Sequence, residues 1–246
     1  MEVNYNSYYT LRASLNAGER REFQLVIDND SFFQVEKMTS YHDSVYNALI
    51  RDTSLNLAWS NVAIKSDNLF GTAQFPNRLR TKKILPPSST IFFDLENLDP
   101  LNPNEIFITL EGYRLYQPIT LPRRTFYVYA LNAALPALNI VDTQLRVSNL
   151  GDFLVEKHIR YADYEFEVRM SASGLSGRSL TNVLTHGENI FGNALNPNII
   201  EHPYKLIKNS ILNVYLKNRQ AAVNNVQLCF EGSILLGNEG SSPEII

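Results

Sequence analysis

Short runs in which apolar and polar residues alternate recur along the whole chain, and they predict strands. Phe23, Leu25 and Ile27 alternate with Gln24 and Val26, the period of two that turns every second side chain to one face. The clearest such run is Tyr164-Glu-Phe-Glu-Val-Arg-Met170, with Tyr164, Phe166, Val168 and Met170 on one side and Glu165, Glu167 and Arg169 on the other. Residues 45–51 are less regular and also compatible with a helix. Residues 105–112 and 225–232 close the pattern in the two halves, each ending in Glu-Gly. Clusters of Asp, Asn, Ser, Gly and Pro separate the runs, as turns between short strands do.

The pattern is written twice. Asp67-Asn-Leu-Phe-Gly-Thr-Ala-Gln-Phe-Pro-Asn77 returns as Glu188-Asn-Ile-Phe-Gly-Asn-Ala-Leu-Asn-Pro-Asn198, at 189 − 68 = 121 positions. Phe33-Gln-Val-Glu-Lys37 returns as Phe153-Leu-Val-Glu-Lys157. The run from Ser89 to Asn97 returns from Ser210 to Asn218, and the final Glu-Gly strand returns as well. Aligning Leu15-Asn16-Ala17 with Leu131-Asn132-Ala133 gives an offset of only 131 − 15 = 116, which implies a short insertion near Pro136. Matched words in matched order are the mark of a duplication. Each copy offers six to eight short strands and little amphipathic helix. The expectation is an all-β chain of two tandem antiparallel β-sandwich domains, jelly-roll-like, from an internal duplication: residues 1–118, residues 119–236, and a tail, 237–246. In the recurring motif, Phe70 and Phe191 are expected to anchor the two cores. Gly71 and Gly192 supply either a positive φ or a close backbone approach, and Pro76 and Pro197 fix the chain direction.

Composition narrows the function classes. A formal net charge of −3 from 22 basic and 25 acidic residues gives no basic field for nucleic acid or an anionic membrane. Cys229 is the sole cysteine, so no disulfide forms within the chain. It falls at the position of Thr109 and is expected to be a small packing residue. The opening residues lack the pattern of a secretory signal, and the expectation is a soluble protein.

Catalytic spacing is sparse. His42, His158, His186 and His202 show no close metal-ligand spacing and are expected on the surface or in loops. The glycines of Gly174-Leu-Ser-Gly177 belong to a flexible hairpin, and the acidic pair in Asp28-Asn-Asp30 is too few for a calcium site. No catalytic, cofactor-binding or metal-binding residue is assigned, and no cofactor is expected. The repeated Glu36-Lys37 and Glu156-Lys157 are expected as exposed pairs at strand ends. Arg78, Arg80, Lys82 and Lys83 form the densest basic cluster, a solvated loop that offers a candidate contact with an acidic partner surface. Trp59 is core or interface.

Taken together, Phe-x-Val-Glu-Lys, then Asn-Leu/Ile-Phe-Gly-x-Ala-x-x-Pro-Asn, then Ser-x-x-x-Val/Phe-x-Leu-x-Asn, then Leu/Phe-Glu-Gly, the signature resembles tailed-bacteriophage virion structural proteins of the crAss-like and other short-tailed phages. The resemblance implies a non-enzymatic, multicopy role on the virion: an auxiliary or decoration protein of the head, or a collar or ring component at the head-tail connector. Its partners would be copies of itself and other virion proteins such as the major capsid, portal or tail components, with neither nucleic acid as main partner nor membrane. The terminal stretches, residues 1–7 and 238–246, are expected to be assembly arms. The alternative is a carbohydrate- or receptor-binding sandwich module of a virion appendage.

Overall fold

The computed structural model describes residues 5–117, 119, 123–173 and 179–236. The expected hairpin at Gly174-Leu-Ser-Gly177 and most of both terminal stretches lie outside them. Nine strands come from the first half: β1 (Tyr5–Leu15), β2 (Arg20–Val26), β3 (Phe32–His42), β4 (Tyr46–Asp52), β5 (Leu57–Ala58), β6 (Ile64–Lys65), β7 (Asn77–Leu85), β8 (Thr90–Asn97) and β9 (Asn104–Leu115). One turn of helix, α1 (Ser66–Leu69), precedes β7. The second half supplies β10 (Arg124–Leu135), β11 (Ile140–Arg146), β12 (Asp152–Ala162), β13 (Phe166–Ala172), β14 (Thr185–His186), β15 (Asn198–Leu206), β16 (Ile211–Asn218) and β17 (Asn224–Leu235). A 3-10 turn over Gly187–Asn189 stands where α1 stands in the first half.

Strand pairing decides the architecture. The first half forms a sheet in the order β1-β9-β3-β7 and a second in the order β2-β8-β4-β5, with β6 also on β4. The second half forms β10-β17-β12-β15 and β11-β16-β13-β14. All the strand pairs are antiparallel. In the second half the first, last, third and sixth strands share one sheet and the other four share the facing sheet; the first half has the same order once the two-residue β5, which has no counterpart strand among the described residues of the second half, is set aside. That is the jelly-roll order, written twice.

Alternation builds the cores. Leu11, Ala13 and Leu15 of β1, Ile106, Ile108 and Leu110 of β9, and Ile91, Phe93 and Leu95 of β8 turn inward together with Tyr46, Ala48 and Ile50 of β4. Residues 46–52 are therefore strand, not helix, because three inward side chains at alternate positions fill the first core. Leu131, Leu228, Val214, Phe166, Val168 and Met170 do the same work in the second. Tyr164 lies outside that strand and is exposed.

Register also corrects the alignment of the first strands. β1 ends with Leu15 opposite Asn104, and β10 ends with Leu135 opposite Asn224. Leu15 thus corresponds to Leu135, at 135 − 15 = 120, and no insertion near Pro136 is needed. Side-chain bonds agree. The Tyr9 hydroxyl meets Asp28 at 3.0 Å, and the Tyr129 hydroxyl meets Ser148 at 2.8 Å, the matching pair. The sequence match of Leu-Asn-Ala misled because strand residues are interchangeable along one face, whereas the turn geometry is not. Gly18 and Leu138 share a positive φ, 63° and 52°, at the same turn.

Buried asparagines hold the turns. Asn97 Nδ2 donates to the carbonyls of Asn16 and Asn102, and Asn218 Nδ2 to those of Leu135, Pro136 and Ala222. Asn104 and Asn224 likewise bridge the turns before β4 and β13. These residues satisfy turn carbonyls and amides that the ladders leave unpaired.

Candidate functional site

The recurring Glu-Lys and Glu-Gly words meet in space. Both β3 and β12 shift register between the Val and the Lys, at Val35/Lys37 and Val155/Lys157, so Glu36 and Glu156 sit in β-bulges. Opposite each bulge lies the glycine. A Cβ on Gly112 would fall 1.9 Å from the Gln34 carbonyl oxygen, and one on Gly232 the same distance from that of Leu154. The preceding glutamates, Glu111 and Glu231, lie directly across from Lys37 and Lys157 and pair with them. Neither Glu-Lys word is at a strand end, and in the second half the pair is buried. Lys157 is 2% exposed and Glu156 7%.

The reason is the seam between the two sandwiches. The open side of the first sandwich, formed by β7, α1 and residues 57–62, stands against the outer face of the β10-β17-β12-β15 sheet. Phe126, Val128, Ala130, Cys229 and Ile159 project from that face into a continuous cluster with Trp59, Leu69 and Leu79. Odd-numbered neighbours on β10, Tyr127, Tyr129 and Leu131, fill the second core instead. Two backbone amides of β10 donate across the contact: Val128 N–H to the Trp59 carbonyl at 2.8 Å, and Ala130 N–H to the side-chain Asn61 Oδ1 at 2.7 Å.

Three polar hubs lie within the seam. At the first, Lys157 Nζ is 2.5 Å from Glu231 Oε1 and 2.8 Å from Asn77 Oδ1, while Asn77 Nδ2 donates to Glu231 Oε2 at 2.9 Å. At the second, Lys83 Nζ is 2.7 Å from Asp52 Oδ2, both sealed from solvent, and Trp59 Nε1 donates to the same carboxylate at 2.6 Å. Burial pushes the Asp52 carboxyl up, but Lys83 and the donors from Ser54 and Trp59 outweigh it and hold the group below its usual range. At the third, Gln227 accepts from Lys65 N–H at 2.8 Å and from Asn68 Nδ2 at 3.0 Å. A buried charge needs a partner, and the first two hubs give each lysine a carboxylate.

The basic cluster is part of this seam and is strand, not loop. Lys83 is buried, Arg80 donates to the Ile200 carbonyl at 2.7 Å, and the Arg78 carbonyl accepts from Lys157. Lys82 pairs with Glu36. Thr81 donates to Glu156 at 2.8 Å. Trp59 belongs to both expected places, buried in the first core and edge-on to Phe126 of the second sandwich at 6.1 Å. Cys229 packs at the seam, fully buried, with its thiol pushed up by desolvation.

The repeated motif lines the mouth of the seam from both sides. A cleft of about 540 Å³ is walled by Phe70, Gly71 and Thr72 of the first copy and by Phe191, Gly192 and Asn193 of the second, with His42, Asp67 and Arg160 at its rim. Phe70 and Phe191 are 3% and 2% exposed, each belonging to its own core. Gly71 and Gly192 are required by close approach, not by φ. Added Cβ atoms would meet the Phe75 and Asn196 carbonyl oxygens at 2.1 and 2.0 Å. Pro76 and Pro197 follow directly, and the asparagine after each begins the next strand. At the rim, His42 Nε2 is 3.4 Å from Asp67 Oδ1, and Arg160 pairs with Glu188. Both rings are buried, so what the cleft offers a ligand is the hydrogen-bonding groups at its rim. Among the described residues, no three His, Cys, Asp or Glu side chains converge as metal ligands.

His158 corrects the expectation of a surface or loop histidine. It lies in β12 with its ring stacked on Phe191 at 5.0 Å and its Nε2 2.8 Å from the Tyr204 hydroxyl. Burial drives its pKa down to about 4. His42 and His186 are half-buried and His202 is exposed, each on a strand.

No protein-family model matches the sequence, and no curated protein does. Solved structures do. The STIV major capsid protein is 10% identical, with 93% of this chain and 97% of that chain covered, at a TM-score of 0.45. A chain from the structure of Sulfolobus Turreted Icosahedral Virus is 10% identical over 94% and 91%, at 0.44. The PBSX exported protein XepA is 13% identical over 93% and 86%, at 0.28. The jelly-roll assignment rests on the strand order above and not on these likenesses. Among the described residues, no helix is long and apolar enough to cross a membrane.

Proposed function

We propose that the chain is a multicopy structural protein of a bacteriophage virion that works through protein-protein contacts. The finer reading is an auxiliary or decoration protein of the head, or a collar or ring component at the head-tail connector. The two units of the repeat, residues 1–118 and 119–236, act in this reading as one body. The observation that carries it is the seam. Two jelly rolls are locked edge to face by buried ion-pair hubs, an investment in shape that suits a building block, where function lies in surfaces and not in a catalytic pocket. The sequence resemblance to tailed-phage virion proteins points the same way. Partners would be other copies and neighbouring virion proteins, and the location the virion.

Quantitative mass spectrometry of purified particles tests this. The reading expects the chain in many copies per particle, at a fixed ratio to the major capsid protein. Its absence from washed particles would end the reading.

One observation favours a second reading. The cleft between the two copies of the motif has room for a small carbohydrate and carries the polar side chains of His42, Asp67, Arg160 and Asn193. A glycan array with the purified chain tests it, and binding that survives Asn193→Ala and Asp67→Ala would exclude this cleft.

A further inference from the structure

One sheet face is covered in the second half and bare in the first. On β10, β17 and β12 the outward residues Val128, Ala130, Cys229 and Ile159 are buried against the first sandwich. Their counterparts on β1, β9 and β3 are Tyr8, Thr10, Thr109 and Thr39, at the same register positions. This face carries exposed Tyr8, Tyr41 and Tyr113, at 61%, 64% and 41%. Across it lies the Lys37–Glu111 pair, the counterpart of the Lys157–Glu231 hub.

The complementary side is also bare. In the seam, Asn77 at the end of the motif completes the hub. Its counterpart Asn198 keeps the same internal bond, Nδ2 to the Ile190 carbonyl at 2.6 Å where Asn77 has Leu69 at 2.9 Å, but it is exposed. Val62 packs into the seam cluster, whereas Val183, its counterpart, is 56% exposed; Ile199 beside Asn198 is 55% exposed. The chain therefore holds one completed copy of a contact and both unfilled halves of a second.

We propose that copies of this chain dock head to tail by repeating the seam. The β15 side of one copy, with Asn198, Ile199 and Val183, seats on the β1-β9-β3 face of the next and completes the Lys37–Glu111 pair as Asn77 completes Lys157–Glu231. The two surfaces differ, so the contact is heterologous: it closes into a ring or runs on as a chain according to the rotation between copies. This inference rests on the structural-protein reading and supplies its assembly surface.

Paired variants with one introduced surface cysteine each test it, the native Cys229 being buried. Thr81 meets Glu156 in the seam, so its counterpart His202 should meet Glu36 of the neighbouring copy. Glu36→Cys is mixed with His202→Cys on a chain enlarged by an affinity tag, and the mixture is oxidised. The expected product is the mixed disulfide dimer, with neither variant dimerising with itself to a comparable extent. Adding Tyr8→Glu and Thr109→Glu to the Glu36→Cys chain should abolish it while the thermal midpoint of that chain stays unchanged. No mixed dimer from two folded variants, or self-dimers of Glu36→Cys in equal yield, would overturn the proposal. That result would leave the virion reading to the particle measurement, and absence from particles would leave this contact standing.

Discussion

Lys157 Nζ stands 2.5 Å from Glu231 Oε1, each side chain only 2% exposed, and the residue that completes the pair, Asn77, comes from the other sandwich. Breaking one member leaves the other charged and buried. Lys157→Met should cost about 3–5 kcal/mol, and the double variant Lys157→Met/Glu231→Leu should recover much of that loss. Asn77→Ala should cost about 1–3 kcal/mol by orphaning buried polar atoms. Urea unfolding of the four chains checks the order; a Lys157→Met chain as stable as its parent would refute the hub's role.

A pH effect should trace to His158. Its folded pKa is about 4, against about 6.5 for an unperturbed histidine, so the unfolded chain takes up the proton that the folded chain refuses. Stability from this group is complete above pH 6.5 and is lost as pH falls from 6.5 toward 4, by roughly 3 kcal/mol in all. Glu156, whose carboxyl burial pushes up, acts with the opposite sign in acid and must be held constant. Comparing parent and His158→Phe by thermal midpoints between pH 7 and 4 isolates the histidine. The variant should show the smaller acid loss.

Glycine substitutions separate two demands. Gly232→Ala puts a methyl 1.9 Å from the Leu154 carbonyl and should cost more than about 2 kcal/mol. Leu138, at φ 52° where the first copy has Gly18, occupies the left-handed region at a cost. Leu138→Gly should therefore gain up to about 1 kcal/mol, the reverse of the usual glycine effect. Chemical denaturation checks both signs.

Trp59, the sole tryptophan, reports the seam. Its ring is edge-on to Phe126 and its Nε1 is bonded to Asp52. Its emission should be blue-shifted in the native chain and should shift red in step with the loss of β-sheet circular dichroism. A red shift that precedes the sheet signal would show the sandwiches separating before they unfold. Lys83→Met should lower the midpoint of that shift, since it strips Asp52 of its cation and removes the Lys83 Nζ bond to Thr125 Oγ1 across the seam at 3.4 Å.

Much of this fold was legible, because period-two alternation and the twice-written motif are local signals. Phe166, Val168 and Met170 declared their strand, and Glu-Gly closed each copy. The seam was not read, since nothing in a single strand says that both of its faces are covered. The trace was present in the comparison of copies. Where the first copy has Tyr8, Thr10 and Thr109, the second has Val128, Ala130 and Cys229, and the run from Phe126 to Leu131 is apolar throughout. An unbroken apolar run is the mark of a strand buried on both sides. The basic residues of β7 pointed to a contact, yet charge alone did not say that Lys83 and Arg80 would meet the chain's own second sandwich. His158 was misplaced because a histidine amid Lys, Ile and Arg gives no sign that Phe191 and Tyr204 will enclose it.

The most direct test of the central claim is a cryo-EM reconstruction of the source particle. The account predicts paired jelly-roll density in many symmetric copies, each with the β10-β17-β12-β15 sheet pressed on its own first sandwich, on the head or at the connector. Particles whose maps hold no such paired density, while the chain is abundant in the infected cell, would contradict it.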